Sequence, residues 1–204
     1  MAWQSIVAWY DHRGGASYDV YAQRVLGSGM VDSRWPENGR ALCTARNDQR
    51  NPVLVPDGRG GALVAWEDAR ESARRSVYAQ RVLGSGSIAP GWPADGLAVA
   101  PDPGARRPAL AVDGRGGAFV AWEDDRSGDA NLVARHLTMD GVLDPRWPAR
   151  GRVLCSAPGE QTGLVAEADG AGGAVVVWED FRQEPSIPRS ATTDGRCARR
   201  RDSS

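Results

Sequence analysis

The chain has 204 residues with 25 Gly and 13 Pro, a share that fills it with turns yet stays below the level of wholesale disorder. Its 25 basic residues are all arginine, and a formal charge of −1 provides no field to draw nucleic acid or a membrane surface. No apolar stretch approaches the ~18 residues of a membrane helix. The start MAWQSIVAWYDHRGG lacks the basic region of a secretory signal, and Gly and Pro recur too often for a helical bundle.

The first predicted strand ends in Trp9, and its text returns down the chain. Trp9, Trp66, Trp122 and Trp178 stand 57, 56 and 56 residues apart. A second series, Trp35, Trp92 and Trp147, runs at 57 and 55, each followed by Pro36, Pro93 or Pro148. VYAQRVLGSG occurs at 20–29 and 77–86, with a looser copy LVARHLTMDG at 132–141, and Gly60-Gly61 returns as Gly116-Gly117 and Gly172-Gly173. Agreement across unrelated residue types makes the chain a tandem array of a unit of about 56 residues.

Within the unit that starts at Pro52, four apolar runs follow in order: PVLV, ALVAW, VYAQRVL and GLAVA. Each is strand-length and bounded by Gly, Pro or Asp. The first two are joined by Asp57-Gly58-Arg59-Gly60-Gly61, where glycine supplies positive φ for a tight hairpin. In the third run Val77, Ala79, Arg81 and Leu83 alternate with Tyr78, Gln80 and Val82, the period of a strand. The unit therefore reads as a four-stranded antiparallel meander, and its repetition as an all-β, β-propeller-like array of blades. Single meanders bury too little to stand alone, so blade must pack on blade.

The units fall at approximately 1–50, 51–106, 107–162 and a partial 163–182, with three, four, four and two strands expected. That makes about three and a half blades, expected to form an incomplete ring, and it reads as a piece of a longer array. Residues 183–204 depart from the repeat and read as a disordered arginine-rich tail, with Arg189, Arg196, Arg199, Arg200 and Arg201 beside Glu184, Asp194 and Asp202.

At WEDAR and VYAQRVL the text resembles uncharacterised bacterial secreted or cell-surface proteins built from β-propeller-like repeats. Their units read roughly DGxGGAxVAWxDxR, then a strand like DIYAQRL, then a Trp and a Gly-Val strand. The resemblance covers about residues 1–182. It implies an extracellular or cell-surface location and a propeller-like fold, and its motifs speak for the repeat rather than for an activity. Larger members often carry an export signal in front and a surface-sorting or Ig-like domain behind. The Ser-x-Asp-x-Gly-x-Thr-x-Trp pattern of sialidase Asp-boxes does not occur here.

The polar motif shared by every unit is Trp-x-Asp-x-Arg: Asp11 with Arg13, Asp68 with Arg70, Asp124 with Arg126, and Asp180 with Arg182. It closes the second strand and opens a loop on the face that hosts ligands in propellers. One reading makes it a ring of carboxylate- or sugar-binding groups, since Arg forks grip carboxylates. The other makes each Asp a turn acceptor paired with its own Arg, while both Trp series fill the core. Symmetry favours the second, because catalysis needs different groups in different roles.

Asp57, Asp113 and Asp169 open the Gly-rich hairpins, and turn chemistry explains them better than a phosphate cradle, since no helix or Lys follows. Asp124, Asp125, Ser127, Asp129 and Asn131 resemble a calcium loop, but Ala130 and His136 stand where its Gly and bidentate Glu belong. Cys43 and Cys155 are two periods apart, equivalent core positions with Val99 between, and Cys197 lies in the tail. No disulfide framework is expected. His12 and His136 occupy unrelated unit positions, so surface placement is expected for both. No metal, cofactor or catalytic residue set is read from the chain.

Three functions remain. The preferred one is a non-catalytic module of a bacterial extracellular protein, serving as a binding or presentation scaffold for a protein or carbohydrate ligand. The second is a glycan-acting hydrolase or lyase with carboxylates on the loop face. The third is a truncated reading frame without independent function. Neither nucleic acid nor a membrane span is expected, and exposed blade edges would favour self-association.

Overall fold

Short β-branched runs punctuated by glycine form strands throughout. The computed structural model describes residues 4–71, 74–182, 187–192 and 197–198, with side chains over 5–71 and 74–182. Among the described residues no helix is long and apolar enough to cross a membrane. The first blade holds β1 (Gln4–Asp11), β2 (Asp19–Leu26) and β3 (Arg40–Cys43). The second holds β4 (Gln49–Pro56), β5 (Ala62–Asp68), β6 (Ser76–Val82) and β7 (Leu97–Ala100). The third holds β8 (Ala105–Val112), β9 (Ala118–Asp124), β10 (Asn131–Leu137) and β11 (Arg152–Cys155). The fourth holds β12 (Gln161–Ala168), β13 (Ala174–Asp180), β14 (Ile187–Thr192) and β15 (Cys197–Ala198). Each is an antiparallel meander in chain order, and the whole is an all-β, propeller-like array.

The period of two decides which blade each side chain meets. On β5, Ala62, Val64 and Trp66 pack into a core shared with Val20, Ala22 and Leu42 of the first blade. Leu63 and Ala65 face the other way, into a core with Val120 and Trp122 of the third. Trp178 repeats the arrangement against Ala121 and Leu132. Both faces of β5 and β6 are therefore covered, and every residue of the two strands is buried. The first strands of successive blades also pack side by side, β4 on β8 and β8 on β12.

Two backbone devices recur. The register between first and second strands shifts at Arg50/Val53, Arg106/Ala109 and Thr162/Val165, each a bulge. The bulge residues Asn51, Arg107 and Gly163 all have positive φ, 54°, 47° and 65°. The second device is the glycine that ends each Trp-Pro turn. A Cβ on Gly96 would lie 2.5 Å from Trp66 Cη2, and one on Gly39 the same distance from Trp9 Cη2.

The last blade differs from the sequence reading. Repeat text ends with β13, yet Ile187–Thr192 pairs antiparallel along β13 and Cys197–Ala198 pairs with it in turn. The disordered-tail reading of 183–204 is therefore corrected over those two stretches. A ladder is made by backbone N–H and C=O groups, so any extended segment can occupy the open edge of a strand. The rest of that tail, with Arg196, Arg199, Arg200 and Arg201, lies outside the described residues.

Candidate functional site

The four Trp-x-Asp-x-Arg motifs end the second strands on one face of the array. In each, the Asp is ion-paired with its own Arg: Asp11 with Arg13, Asp68 with Arg70, Asp124 with Arg126 and Asp180 with Arg182. The backbone N–H of the Arg also donates to its Asp, at 2.9 Å for Arg70 and 3.1 Å for Arg126. The indole N–H of Trp66 donates to Asp68 at 2.8 Å, and Trp9 does the same to Asp11. Arg70 also stacks 3.9 Å above the Tyr78 ring and donates to the Asp95 carbonyl at 2.6 Å, so it pins the Trp-Pro turn to the strand. Arg13 does this with Tyr21 and the Asn38 carbonyl. Trp66, Trp122 and Trp178 are buried in the blade cores. The Asp and Arg of each motif satisfy one another, while the buried indole N–H of Trp122 has no hydrogen-bond partner among the described residues.

The second Trp series joins blades. Trp35 donates to the Gly84 carbonyl of the second blade at 3.1 Å, and Trp92 to the Met139 carbonyl of the third at 3.0 Å. Arg24 and Arg81, at equivalent positions on third strands, bond the same two carbonyls. Trp147 instead packs on Phe119 and His136.

Asp57 accepts the N–H groups of Arg59 and Gly61, both at 2.8 Å, and Arg81 grips its other oxygen. Asp113 accepts from Arg115 and Gly117, and Asp169 from Ala171 and Gly173, so all three do the turn work expected of them. His136 corrects the expectation of surface placement. It occupies the position of Arg24 and Arg81, and its side chain is only 13% exposed. Its Nε2 lies 3.0 Å from Asp113 and its Nδ1 2.9 Å from Asp144, where an arginine fork would otherwise reach. His12 is exposed, beside the Tyr18 ring.

The oxygens of the calcium-like run turn to protein donors instead of converging. Asp124 holds Arg126, Asp125 holds Arg74, Ser127 accepts from Asn131, and Asp129 accepts the Gly159 N–H. Cys43 and Cys155 are unbridged and equivalent: each Sγ meets the motif arginine of the next blade, Arg70 at 3.0 Å and Arg182 at 3.5 Å. Burial pushes the Cys43 thiol up to about 12. The side chain of Cys197 lies outside the described residues.

A feature the repeat pattern hid lies on the same face between the second and third blades. A cleft of about 460 Å³ is lined by Arg74, Arg75, Arg106 and Arg107, with Asn51 and Asp125 at its rim and Glu67 in its wall. The odd face of β5 aims Glu67 at the third blade, where it accepts the bulge N–H of Arg107 at 2.9 Å and pairs with Arg75. Glu123 repeats this one blade on, accepting the bulge N–H of Gly163 at 3.0 Å and pairing with Arg106 and Arg107. Asp125 holds Arg74 at 2.6 Å and Arg106 at 3.4 Å.

The glutamate-to-bulge contact follows the repeat, but the paired arginines do not. Strand register places Tyr18 and Ala130 at the position of Arg75, and Arg50-Asn51 and Thr162-Gly163 at that of Arg106-Arg107, so Arg106 recurs as Arg50 while Arg107 does not recur as an arginine. The signal in the sequence was two Arg-Arg pairs that their sister units lack.

Comparison with known proteins bears on the fold alone. No family model matches the chain, and no curated protein matches it in sequence. Among solved structures, the endo-arabinase from Bacteroides thetaiotaomicron VPI-5482 superimposes with a TM-score of 0.54 at 13% identity, over 94% of this chain and 72% of the other. What the two share is a propeller-type fold. A glucose dehydrogenase structure is matched more loosely, with a TM-score of 0.46 at 12% identity, over 90% of this chain and 62% of that one.

Proposed function

We propose that the chain is a non-catalytic binding module of a bacterial extracellular protein, with the arginine-lined cleft between its second and third blades as the ligand site. The observation that carries this is a break in symmetry. Most residues that hold the blades recur from unit to unit, whereas among the described residues the pairs Arg74-Arg75 and Arg106-Arg107 gather at one boundary. Small-molecule sites span roughly 300–1,000 Å³, and this cleft falls in that range.

A second reading has one observation in its favour. Glu67, which is 2% exposed, and Asp125, which is more open, line the same cleft, and glycoside hydrolysis needs two carboxyl groups in unlike settings. Against it, Glu67 accepts at both oxygens, from Arg107 N–H and from Arg75. A general acid must instead carry a proton to give. The likeness to the endo-arabinase is one of fold at 13% identity and weighs on neither side.

Incubating the chain with an immobilised glycan panel, while assaying release of reducing ends, separates the two. Binding without release is expected. Release that disappears in Glu67→Gln would establish the hydrolase, and a panel that retains nothing would contradict a glycan-binding module.

A further inference from the structure

We propose that the cleft between the second and third blades takes an acidic saccharide, seating its carboxylate on the Arg74, Arg75, Arg106 and Arg107 cluster; this rests on the binding-module reading and specifies its ligand.

The chemistry of the wall selects this class. Arg74, Arg75, Arg106 and Arg107 line one opening, the head of Arg107 held by Glu123 and Thr162, and each guanidinium presents several N–H donors in a planar fork that matches a carboxylate. Arg75 and Arg106 are 38% and 37% exposed along their side chains, Arg74 and Arg107 58% and 59%, so all four keep open surface beside their ion pairs. The lining contains no aromatic residue and no apolar side chain larger than Ala105, which offers nothing to a hydrophobic ligand. It also contains Asp125 and Asn51, which accept hydrogen bonds, so a densely charged phosphate would meet a carboxylate beside the arginines. A ring with one carboxylate and several hydroxyl groups uses both kinds of wall.

Arg107 adds an independent observation. It sits at φ 47°, a left-handed conformation where the next blade has Gly163 and the previous one Asn51, a residue that tolerates it. A long side chain kept in a strained bulge is the kind of local conflict that collects at binding sites. The strain also supplies a clean variant. Arg107→Gly relieves the backbone and copies the fourth blade, so it is expected to fold with a melting temperature at or above that of the parent.

The test is calorimetric titration of the full chain with trigalacturonate and with galactotriose, its neutral counterpart. The acidic trisaccharide is expected to bind at least tenfold more tightly, and more weakly as salt is raised. Arg107→Gly is expected to lose at least tenfold in affinity while staying folded, and Arg74→Gln to weaken binding as well. Equal affinity for the two trisaccharides, or unchanged binding in both variants, overturns the proposal. Displacement by inorganic phosphate as effective as by free galacturonate overturns it too. If trigalacturonate is not bound while the glycan panel retains the chain on neutral sugars, the acidic-saccharide inference fails and the binding module stands.

Discussion

Glycine and tryptophan meet at one point in each of the first three blades, where Gly39, Gly96 and Gly151 close the Trp-Pro turn over the ring of Trp9, Trp66 or Trp122. Two conditions coincide at Gly96, a φ of 90° and a ring atom 2.5 Å from any Cβ. At Gly58 only the first applies, with φ 73° and open space around it. Gly58→Ala should therefore cost about 1–2 kcal/mol, the left-handed penalty alone, and Gly96→Ala clearly more, as read from denaturant midpoints. Trp122→Ala should cost ~3–5 kcal/mol as a large buried truncation.

The same scale sets the response to acid. Arg13 holds the Asp11 carboxyl down at about 2, and Arg34 does the same for Asp32. Arg182 lowers Asp180, and at Asp57 the pull of Arg81 and two N–H groups outweighs the upward push of burial. Groups lowered on folding stabilise the native state above the unfolded value near 4, and the gain drains away as pH falls toward the folded value. Asp19 works the other way, raised by burial and by Asp11. The lowered groups outnumber it, so melting temperature should stay level above about pH 5 and fall steeply between about pH 4 and 2. A maximum below pH 4 would contradict these pairings.

At the scale of elements, strands are set by alternation and bulges by one left-handed residue. His136 shows how an element tolerates exchange: on β10 it bridges Asp113 and Asp144 where β2 and β6 use arginine. His136→Arg should leave the thermal melt near the parent value, whereas His136→Ala should lower it by several degrees, because two buried carboxylates lose the ring that bridges them. The four-strand unit and the Trp cores were legible because they repeat, and repetition reports packing. The pairing of β14 was not legible, since backbone hydrogen bonds leave no mark on IPRSAT. His136 was misplaced although the copies at 77–86 and 132–141 set it opposite Arg81; the burial of that position shows only in the packed strands. The cleft escaped for the opposite reason. It is written in the places where units disagree, Arg74-Arg75 and Arg106-Arg107, and a search for agreement passes over them.

For the whole molecule, symmetry and its breach divide the labour. Recurrent groups stitch blade to blade: Trp35 and Arg24 to Gly84, Trp92 and Arg81 to Met139, and bulge N–H groups to Glu67 and Glu123. The opposite end carries its own openings, of about 290 and 320 Å³, between the glycine-rich hairpin turns. Their linings include Gly58 and Gly114 at the turns, and the repeat accounts for them. Among the described residues the boundary of the second and third blades gathers the Arg74-Arg75 and Arg106-Arg107 pairs, and binding is proposed there. Amide hydrogen exchange with and without trigalacturonate tests that assignment most directly. Slowed exchange confined to the segments around Arg75 and Ala105–Arg107 is the predicted result, and slowing at 58–61 and 114–117 instead would contradict it.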